Sequence, residues 1–586
     1  MKLSTSCWDN INGERDGLLY FSQRLDEMLF NYTIDLYKAP VLNTHTLLNE
    51  YLSIQKNVEI SDKYLPVVLA EIIESIAKDP VVKKYWGNDN VLKSLEALKD
   101  LPEKAKNTMI KYLNHAFGET QYFKWCCEYS RWIVTQNNQK EKIEQALKCL
   151  VPELISRGYS PQFIYHYNRK CILQTQTPSI ETFISRFDCK RRKYKVYIAA
   201  EKWISKFETL LNQRIGISFT DDGNYKKYKH DDNHIVIHID DLDALDDNQA
   251  AHMAFERINL FLRFYTAVDN KEQPKFQNIV MVTEENDPIP AYVPFVANEY
   301  SVIEGMRIEE ASKYTEKLIT DLITHARCAL NKLAKAVDLH NNSLRSSDYS
   351  SGFLNLWSVL EVISLKSMGS NDLEQVTCTL IPILQNKYYQ SIVKDFMQKI
   401  KAALSLDKYD ELLDRIENGE SDIDKMASFL FVKKYESLRD EYSRVLTKFP
   451  VLRYRLHALS GAAKDKKTLL SLREKYGQRV EWHLSRIYRT RNSLIHSGSV
   501  PSNIRFLGEH LHFYVDLLML ECFEKLSCGV QFCNLDNALL DSLLACEIIK
   551  KKMNKKGELN EDIILDIIHP IFTVQEKFDY ICDCEQ

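Results

Sequence analysis

The sequence contains little glycine and proline for its length, with 17 glycines and 15 prolines among 586 residues. Both residues interrupt helices and favour tight turns, so their scarcity predicts long helices and few hairpins. The sequence also lacks an apolar run of about 18 residues, the length that a membrane-spanning helix needs. Its longest apolar-rich segment, FLNLWSVLEVISL, has 13 residues and includes Glu361, which is typical of a buried helix.

Paired cysteines and nucleotide-binding motifs are also missing. The 14 cysteines include no CxxC spacing, which indicates free thiols in a reducing compartment. No Walker A loop, dinucleotide fingerprint or nucleophile elbow occurs, so we expect no cofactor. The N-terminal residues MKLSTSCWDN contain no apolar signal segment. We therefore expect a cytoplasmic protein that has no membrane partner.

The pattern of apolar residues divides the chain into four predicted regions. Residues 1–175 favour helices, and residues 180–300 contain the β-branched runs KVYIA, HIVIHID and NIVMVTEE around the helical stretch NQAAHMAFERINLFLRFYTAV. Residues 305–530 favour helices again, and residues 531–586 form a helical tail. The proline-rich segment NDPIPAYVPF is interpreted as the end of the middle region. We expect a mainly α, multidomain fold with a helical N-terminal region, a small α/β or α+β middle domain and a C-terminal helical bundle.

The segment RIYRTRNSLIHSGSVP, residues 486–501, places an arginine on the apolar face of a predicted helix. At about 100° per residue, one apolar stripe forms around Arg491. The members of the stripe are Leu484, Ile487, Tyr488, Leu494 and Ile495. An unpaired charge at such a position is costly, so Arg491 must meet an acidic partner, an anion or a wet cleft.

The same segment places His496 in the last turn, because Ser497, Gly498 and Pro501 predict that the helix ends there. The helix dipole favours the imidazolium form at this position. Histidine suits proton transfer in RNA cleavage, and arginine suits a phosphate that gains charge. The alternative is a structural arginine–acid pair beside a histidine that has no chemical role, and the residues alone leave both interpretations open.

Positive charge is concentrated around this helix. Residues 461–500 contain nine Lys or Arg and three acidic residues, a net charge of +6 in a chain whose total is −4. A local basic patch is typical of a surface that binds the phosphate backbone. The candidate RNA-binding residues are Lys475, Arg479, Arg486 and Arg489. A solvated basic helix face is the alternative interpretation.

The segment KHDDNHIVIHIDDLDALDD is rich in histidine and aspartate. His234 and His238 lie on one face of a predicted strand and Asp240 follows, so a divalent-metal site is one interpretation. The alternative is the polar face of an edge strand before the acidic start of a helix. The basic segment DCKRRKYK, residues 188–195, is interpreted as a solvated turn or a contact for single-stranded RNA. Otherwise we expect no metal.

The segment RNSLIHSG resembles the RNxxxH signature of the HEPN superfamily, in its Apea-like branch of large bacterial proteins. Three further segments resemble the same branch: DLHNNSLRSSD, SSGFLNLWSVLEVISLK and NIRFLGEHLHFYVDLL. The resemblance covers residues 310–530. It implies a helical bundle that dimerises through the signature helices, so that two Arg-His pairs meet in one cleft.

The resemblance also implies metal-independent RNA cleavage, in which the ribose 2′-hydroxyl attacks the adjacent phosphate. His496 would transfer protons, Arg491 would stabilise the phosphorane, and Asn492 would orient the phosphate or the imidazole. Glu361 would pair with Arg491, unless it is a helix-surface carboxylate. Many members are toxins or abortive-infection effectors against phage, and others only bind nucleotides or scaffold partners.

The expected substrate is RNA, with tRNA as one candidate. The expected partner in assembly is a second copy of the chain. The N-terminal half would act as a sensor or a restraint that responds to a phage-derived trigger.

Overall fold

The computed structural model describes most of the chain. The described residues are 15–30, 42–220 except 57, 233–268, 274–294 except 286, 308–527 except 347, 418, 464, 499 and 502–503, and parts of 532–580. Within these ranges the protein is mainly helical and has one small antiparallel sheet, so the prediction of a mainly α fold is confirmed. Among the described helices, none is both long enough and apolar enough to cross a lipid bilayer. All described cysteines are free thiols.

The N-terminal region is built from helices joined by short turns. They are α1 (Asp16–Phe30), α2 (Thr44–Gln55), α3 (Val58–Lys78), α4 (Pro80–Val82), α5 (Asn88–Asp100), α6 (Glu103–Phe117), α7 (Glu119–Ile133), α8 (Lys140–Ser156), α9 (Pro161–Asn168) and α10 (Ile180–Ser185). Two π-helical turns, Lys83–Gly87 and Arg169–Leu173, continue α4 and α9. Side-chain caps start some of these helices: Asn43 accepts from Thr46 N–H at α2, and Asp79 accepts from Val81 N–H at α4.

The middle region contains a five-stranded antiparallel sheet. Its strands are β1 (Arg192–Glu201), β2 (Ser218–Thr220), β3 (His234–Ala244), β4 (Ile279–Glu284) and β5 (Asp287–Pro294), and its helices are α11 (Glu208–Leu210) and α12 (Asp247–Val268). The strand order is β2-β3-β1-β4-β5. Helix α12 packs on one face, where alternate residues such as Ile237 and Ile239 are buried. The predicted strands HIVIHID and NIVMVTEE and the helix between them are confirmed.

Three details of the middle region differ from the sequence interpretation. Residues Asp287–Pro294 of the proline-rich segment form β5 instead of a boundary; an edge strand tolerates proline because one of its sides needs no hydrogen-bond donors. Strand β3 lies between β2 and β1 instead of at the sheet edge. The basic segment 188–195 is a turn only in its first half, because β1 begins at Arg192.

The C-terminal region is again helical. Its helices are α13 (Ile308–His325), α14 (Arg327–Arg345), α15 (Tyr349–Ile363), α16 (Asp372–Ala403), α17 (Leu406–Asp414), α18 (Asp422–Phe431), α19 (Glu436–Val445), α20 (Pro450–Ala462), α21 (Lys466–Ser497), α22 (Ile504–Ser527), α23 (Leu535–Asn554) and α24 (Glu561–Ile568). Helices α16 and α21 each have 32 residues and pack against each other. The tail helices α23 and α24 bury their apolar residues in the same core as α13–α22.

Apolar residues form three large clusters that follow the chain. The first consists mainly of residues between 18 and 187, the second lies between 194 and 293, and the third lies between 322 and 572. Buried ion pairs join the first and third. Arg455 Nη1 donates to Glu27 Oε1 at 2.9 Å, and Lys399 Nζ lies 3.3 Å from the same oxygen. The N-terminal helices are therefore attached to the C-terminal helices by charge as well as by apolar contact.

Candidate functional site

The signature segment forms the end of α21, as the sequence predicts. Gly498 follows the helix with φ 63°, and its N–H donates to the Leu494 carbonyl at 3.2 Å. The left-handed conformation of this residue favours glycine. His496 is exposed in the last turn, one residue before the helix ends at Ser497. The end of the helix therefore presents an imidazole to solvent.

Arg491 is partly buried and meets a carboxylate of another helix. Its Nη2 donates to Glu361 Oε1 at 3.3 Å, and its Nη1 donates to Asn492 Oδ1 at 3.0 Å. Trp357 Nε1 donates to the same Glu361 oxygen at 2.6 Å. Since Trp357 and Glu361 are one turn apart on α15, this helix holds the carboxylate in place under the guanidinium. The suggested pairing of Glu361 with Arg491 is confirmed as a contact.

The apolar stripe around Arg491 is only partly buried. Leu484, Ile487 and Leu494 lie in the core, and the ring of Tyr488 packs against Trp357 with centroids 5.3 Å apart. Ile495, however, is 49% exposed. The stripe therefore lies in the core only as far as Leu494.

Two of the four candidate RNA-binding residues are paired with acids of the N-terminal helices. Arg486 Nε donates to Glu50 Oε1 at 2.9 Å, and its Nη2 donates to Glu71 Oε2 at 2.6 Å. Arg489 also pairs with Glu50. Burial lowers the pKa of Arg489 to about 10, so its guanidinium is still charged at neutral pH and needs this partner. In this conformation the guanidinium groups of both residues are paired with carboxylates.

The N-terminal region also touches the signature itself. The hydroxyl of Tyr64, on α3, hydrogen-bonds with Asn492, and burial raises the pKa of this tyrosine to about 12. The guanidinium carbon of Arg489 lies 5.9 Å from the centre of the same ring. Helices α2 and α3 thus cover the flank of α21 that carries Arg486, Arg489 and Asn492.

The other basic residues of α21 have different environments. Lys475 is exposed and Arg479 is partly buried. Arg473 is buried and donates to Asn386 Oδ1 at 2.9 Å and to the Gln385 carbonyl at 3.1 Å. Among the basic residues of this segment, Arg486, Arg489 and Arg491 therefore have carboxylate partners from other helices, whereas Arg473 binds neutral oxygens.

A cleft of 990 Å³ lies beside this covered flank, where the three regions meet. Glu50 and Glu153 line it from the N-terminal helices, His252 lines it from α12, and Ser493 and Arg505 line it from the C-terminal region. It contains charges of both signs, and Arg486 and Arg489 are among the residues that line it. A ligand bound in this cleft would contact all three regions.

The candidate metal ligands of the middle region do not converge. His238 Nδ1 lies 3.1 Å from Asp240 Oδ2, and Lys195 Nζ lies 2.9 Å from Asp240 Oδ1. His234 and His238 are four residues apart on β3, a separation of about 13 Å along an extended strand. Two imidazoles at that spacing do not share one ion, which requires ligand bonds of about 2.0–2.1 Å.

A different group of ligand-type side chains lies in the C-terminal region. His340 of α14 and His512 and Asp516 of α22 bring one donor atom each to within 4.8 Å of one another. The sequence analysis missed this group, although His512 and Asp516 have the i, i+4 spacing that puts two residues on one helix face. His340 lies 172 positions away from His512, so sequence spacing gave no signal for it.

Comparison of the chain with protein-family models, curated proteins and solved structures gives no match. The resemblance to the HEPN superfamily therefore rests on the four segments quoted above. The structure places three of those segments next to one another, because α15 packs against both α21 and α22.

Proposed function

We propose that the protein is a metal-independent RNA endonuclease of the HEPN type, with residues 305–530 as its HEPN bundle in a multidomain chain. The observation that carries the proposal is the hydrogen-bonded row Trp357–Glu361–Arg491–Asn492, together with the exposed His496 at the end of α21, the helix that carries Arg491. A guanidinium held in a fixed position is suited to a phosphate that gains charge. An exposed imidazole is suited to proton transfer.

In the proposed reaction the ribose 2′-oxygen attacks the adjacent phosphorus. A neutral His496 imidazole takes the 2′-hydroxyl proton, and a protonated His496 imidazole gives a proton to the departing 5′-oxygen. Arg491 stabilises the phosphorane and Asn492 orients the phosphate or the imidazole. The products are a 2′,3′-cyclic phosphate and a 5′-hydroxyl, so the reaction consumes no water and needs no metal at the scissile bond.

A homodimer is part of the proposal. Arg491 and His496 are five residues apart on one helix, so their side chains leave it about 140° apart. A second copy of α21 would bring the imidazole of one chain to the guanidinium of the other. Ile495 and Val500, which precede and follow His496 in the chain, are 49% and 56% exposed and would be covered by such a partner.

The N-terminal helices would restrain this nuclease. Arg486 and Arg489 are proposed to bind RNA together with Lys475 and Arg479. In this conformation, however, Arg486 and Arg489 form ion pairs with Glu50 and Glu71. A phage-derived trigger that separates α2 and α3 from α21 would release them. We propose that the protein acts in this way in the cytoplasm as an effector of anti-phage defence by abortive infection, with tRNA as one candidate substrate.

A non-catalytic RNA-binding or nucleotide-binding HEPN module is the second candidate. The contact between Arg491 and Glu361 favours it, because a guanidinium already neutralised by a carboxylate also fits a purely structural role. This candidate predicts salt-sensitive binding without cleavage. A metal-dependent nuclease at His234, His238 and Asp240 is a weaker alternative, since these side chains do not converge.

The deciding experiment incubates full-length protein with cellular RNA, adding EDTA together with the substrate, and maps the RNA ends. We expect 2′,3′-cyclic phosphate ends from the wild type. His496→Ala and Arg491→Ala should each lower cleavage by about 100-fold or more. His457→Ala, at an exposed histidine of α20, is the matched control and should cleave normally.

Undiminished cleavage by folded His496→Ala would remove the catalytic assignment. Binding without cyclic phosphate ends would favour the second candidate. Complete loss of cleavage as soon as EDTA is added would favour a metal-dependent reaction.

A further inference from the structure

The donor atoms of His340, His512 and Asp516 converge on one point between two helices. His340 Nε2 lies 2.8 Å from His512 Nε2 and 3.2 Å from Asp516 Oδ1. His512 Nε2 lies 3.3 Å from the same Asp516 oxygen. The three atoms thus form a compact triangle.

The dimensions of this triangle suit one transition-metal ion. In a tetrahedral zinc site with bonds of about 2.0–2.1 Å, neighbouring donor atoms are about 3.3–3.4 Å apart. The two distances to Asp516 are close to this value. The two Nε2 atoms are closer together, at 2.8 Å, so the imidazoles would move apart slightly when an ion binds. A point about 2 Å from all three atoms lies just above their plane, which leaves a fourth position for water.

Hydrogen bonding alone accounts poorly for this arrangement. The two Nε2 atoms face each other and also face the same carboxylate oxygen. If both Nε2 atoms carry protons, the two N–H groups point at each other and repel. If only one Nε2 carries a proton, that N–H has two acceptors, the other Nε2 and the Asp516 oxygen, and the unprotonated Nε2 cannot donate to Asp516. A cation at the centre satisfies all three lone pairs at once.

The surroundings also favour an ion that is held firmly. The side chains of His512 and Asp516 are 1% and 8% exposed, while that of His340 is 15% exposed. A buried carboxylate next to two imidazole nitrogens, all of which are metal-ligand groups, favours a bound cation. Two imidazole ligands select zinc-like transition metals over Mg²⁺ and Ca²⁺, which prefer oxygen ligands.

We propose that His340, His512 and Asp516 form a structural binding site for one divalent transition-metal ion of the zinc class. The ion would join α14 to α22, and α15, which carries Trp357 and Glu361, packs against both of these helices. None of the ligands belongs to α21, so the ion has no part in the proposed cleavage step. It would instead stabilise the scaffold that positions Glu361.

The test measures metal content and binding in full-length protein. Wild type stripped by prolonged dialysis against a chelator should bind one equivalent of Zn²⁺ per chain. Co²⁺ should bind in its place and give the visible absorption of a tetrahedral complex. Saturating Zn²⁺ should raise the temperature of unfolding, because the ion binds the folded state.

His340→Gln and Asp516→Asn are the test variants, since each keeps a similar volume and a polar end. Both should lose the bound equivalent and the thermal shift, whereas the control His457→Ala should keep them. His340→Gln is the more tolerable change because this side chain is the least buried of the three. Wild type that binds no Zn²⁺, or variants that bind as tightly as wild type, would overturn the proposal. RNA cleavage is not a readout here, so failure of the nuclease proposal leaves this result intact.

Discussion

Arg486 and Glu50 lie 436 positions apart in the chain, yet their charged atoms are 2.9 Å apart. Glu71 meets the same guanidinium from α3. The basic helix α21 and its acidic cover, Glu50 and Glu71, are thus parts of one polypeptide, and the cover pairs with Arg486 and Arg489, the residues that we propose to bind RNA. This relationship makes regulation by the N-terminal region directly testable.

Removing the acidic cover should increase RNA binding. In Glu50→Gln/Glu71→Gln the amides keep hydrogen-bond acceptors but no longer neutralise Arg486 and Arg489. Two newly available cations should steepen the dependence of log affinity on log salt by about 1.4, at about 0.7 for each phosphate contact to a single strand. Electrophoretic shifts at several salt concentrations measure this slope.

Glu96→Gln, at an exposed carboxylate of α5, is the matched control for that double variant. It changes the net charge of the N-terminal region without touching α21, so its salt dependence should equal that of wild type. An unchanged slope in the folded double variant would contradict the restraint.

Glu361→Gln should reduce cleavage without removing it. The amide loses the charge that positions Arg491, and a charge-assisted hydrogen bond contributes about 1.5–3 kcal/mol. The cleavage rate should therefore fall by about 10- to 100-fold, less than in Arg491→Ala. Single-turnover cleavage assays measure the rate, and thermal unfolding separates it from stability. A stability loss at an unchanged rate would mean that the pair is only structural.

Glu27→Gln should destabilise the junction between the N-terminal and C-terminal helices. Glu27 is buried and receives Arg455 and Lys399, so its neutralisation leaves buried cations without a full partner. Breaking a buried pair in this way costs about 3–5 kcal/mol. Urea denaturation measures the loss, and the exposed Glu96→Gln should change the midpoint little.

The same carboxylate predicts an acid sensitivity. Burial by itself would raise the pKa of Glu27, but Arg455, Lys399 and Arg24 hold this pKa below its usual value. Because the pKa is lower in the folded state, the stabilisation is complete above the unfolded pKa of about 4.3 and is lost as the pH falls through the folded value. Wild type should lose more stability than Glu27→Gln between pH 5 and 3. Equal losses in the two proteins would contradict this assignment.

Gly498→Ala should destabilise the end of α21. An added β-carbon meets no atom within 4 Å, so the cost comes only from φ of 63° and should be about 1 kcal/mol. Gly461 in α20 also has open space around it but no positive φ, so Gly461→Ala should instead be neutral or stabilising. Hydrogen exchange at residues 494–497 should increase only in Gly498→Ala. Equal effects of both changes would argue against a role for the left-handed turn.

Several elements followed from local patterns. The end of α21, the strands β3 and β4 and the helix α12 were predicted because periodicity and turn residues are properties of neighbouring positions. The strand β5 was missed because three prolines suggested a boundary, and only its place at the sheet edge makes them acceptable. The exposure of Ile495 was not predictable, because a helical wheel shows which face of a helix is apolar but not where the core that packs against that face ends.

Sequence alone therefore gave the mainly helical character, the location of the signature helix and the need of Arg491 for an acidic partner, an anion or a wet cleft, since these depend on local pattern and on the cost of a buried charge. Only the tertiary structure shows which carboxylates form ion pairs with the arginines of α21, namely Glu361, Glu50 and Glu71. It also decided that His340 joins His512 and Asp516. Such pairings depend on how helices that are far apart in the sequence pack against each other, and neither the type of a residue nor its position along the chain shows which distant residue it will contact.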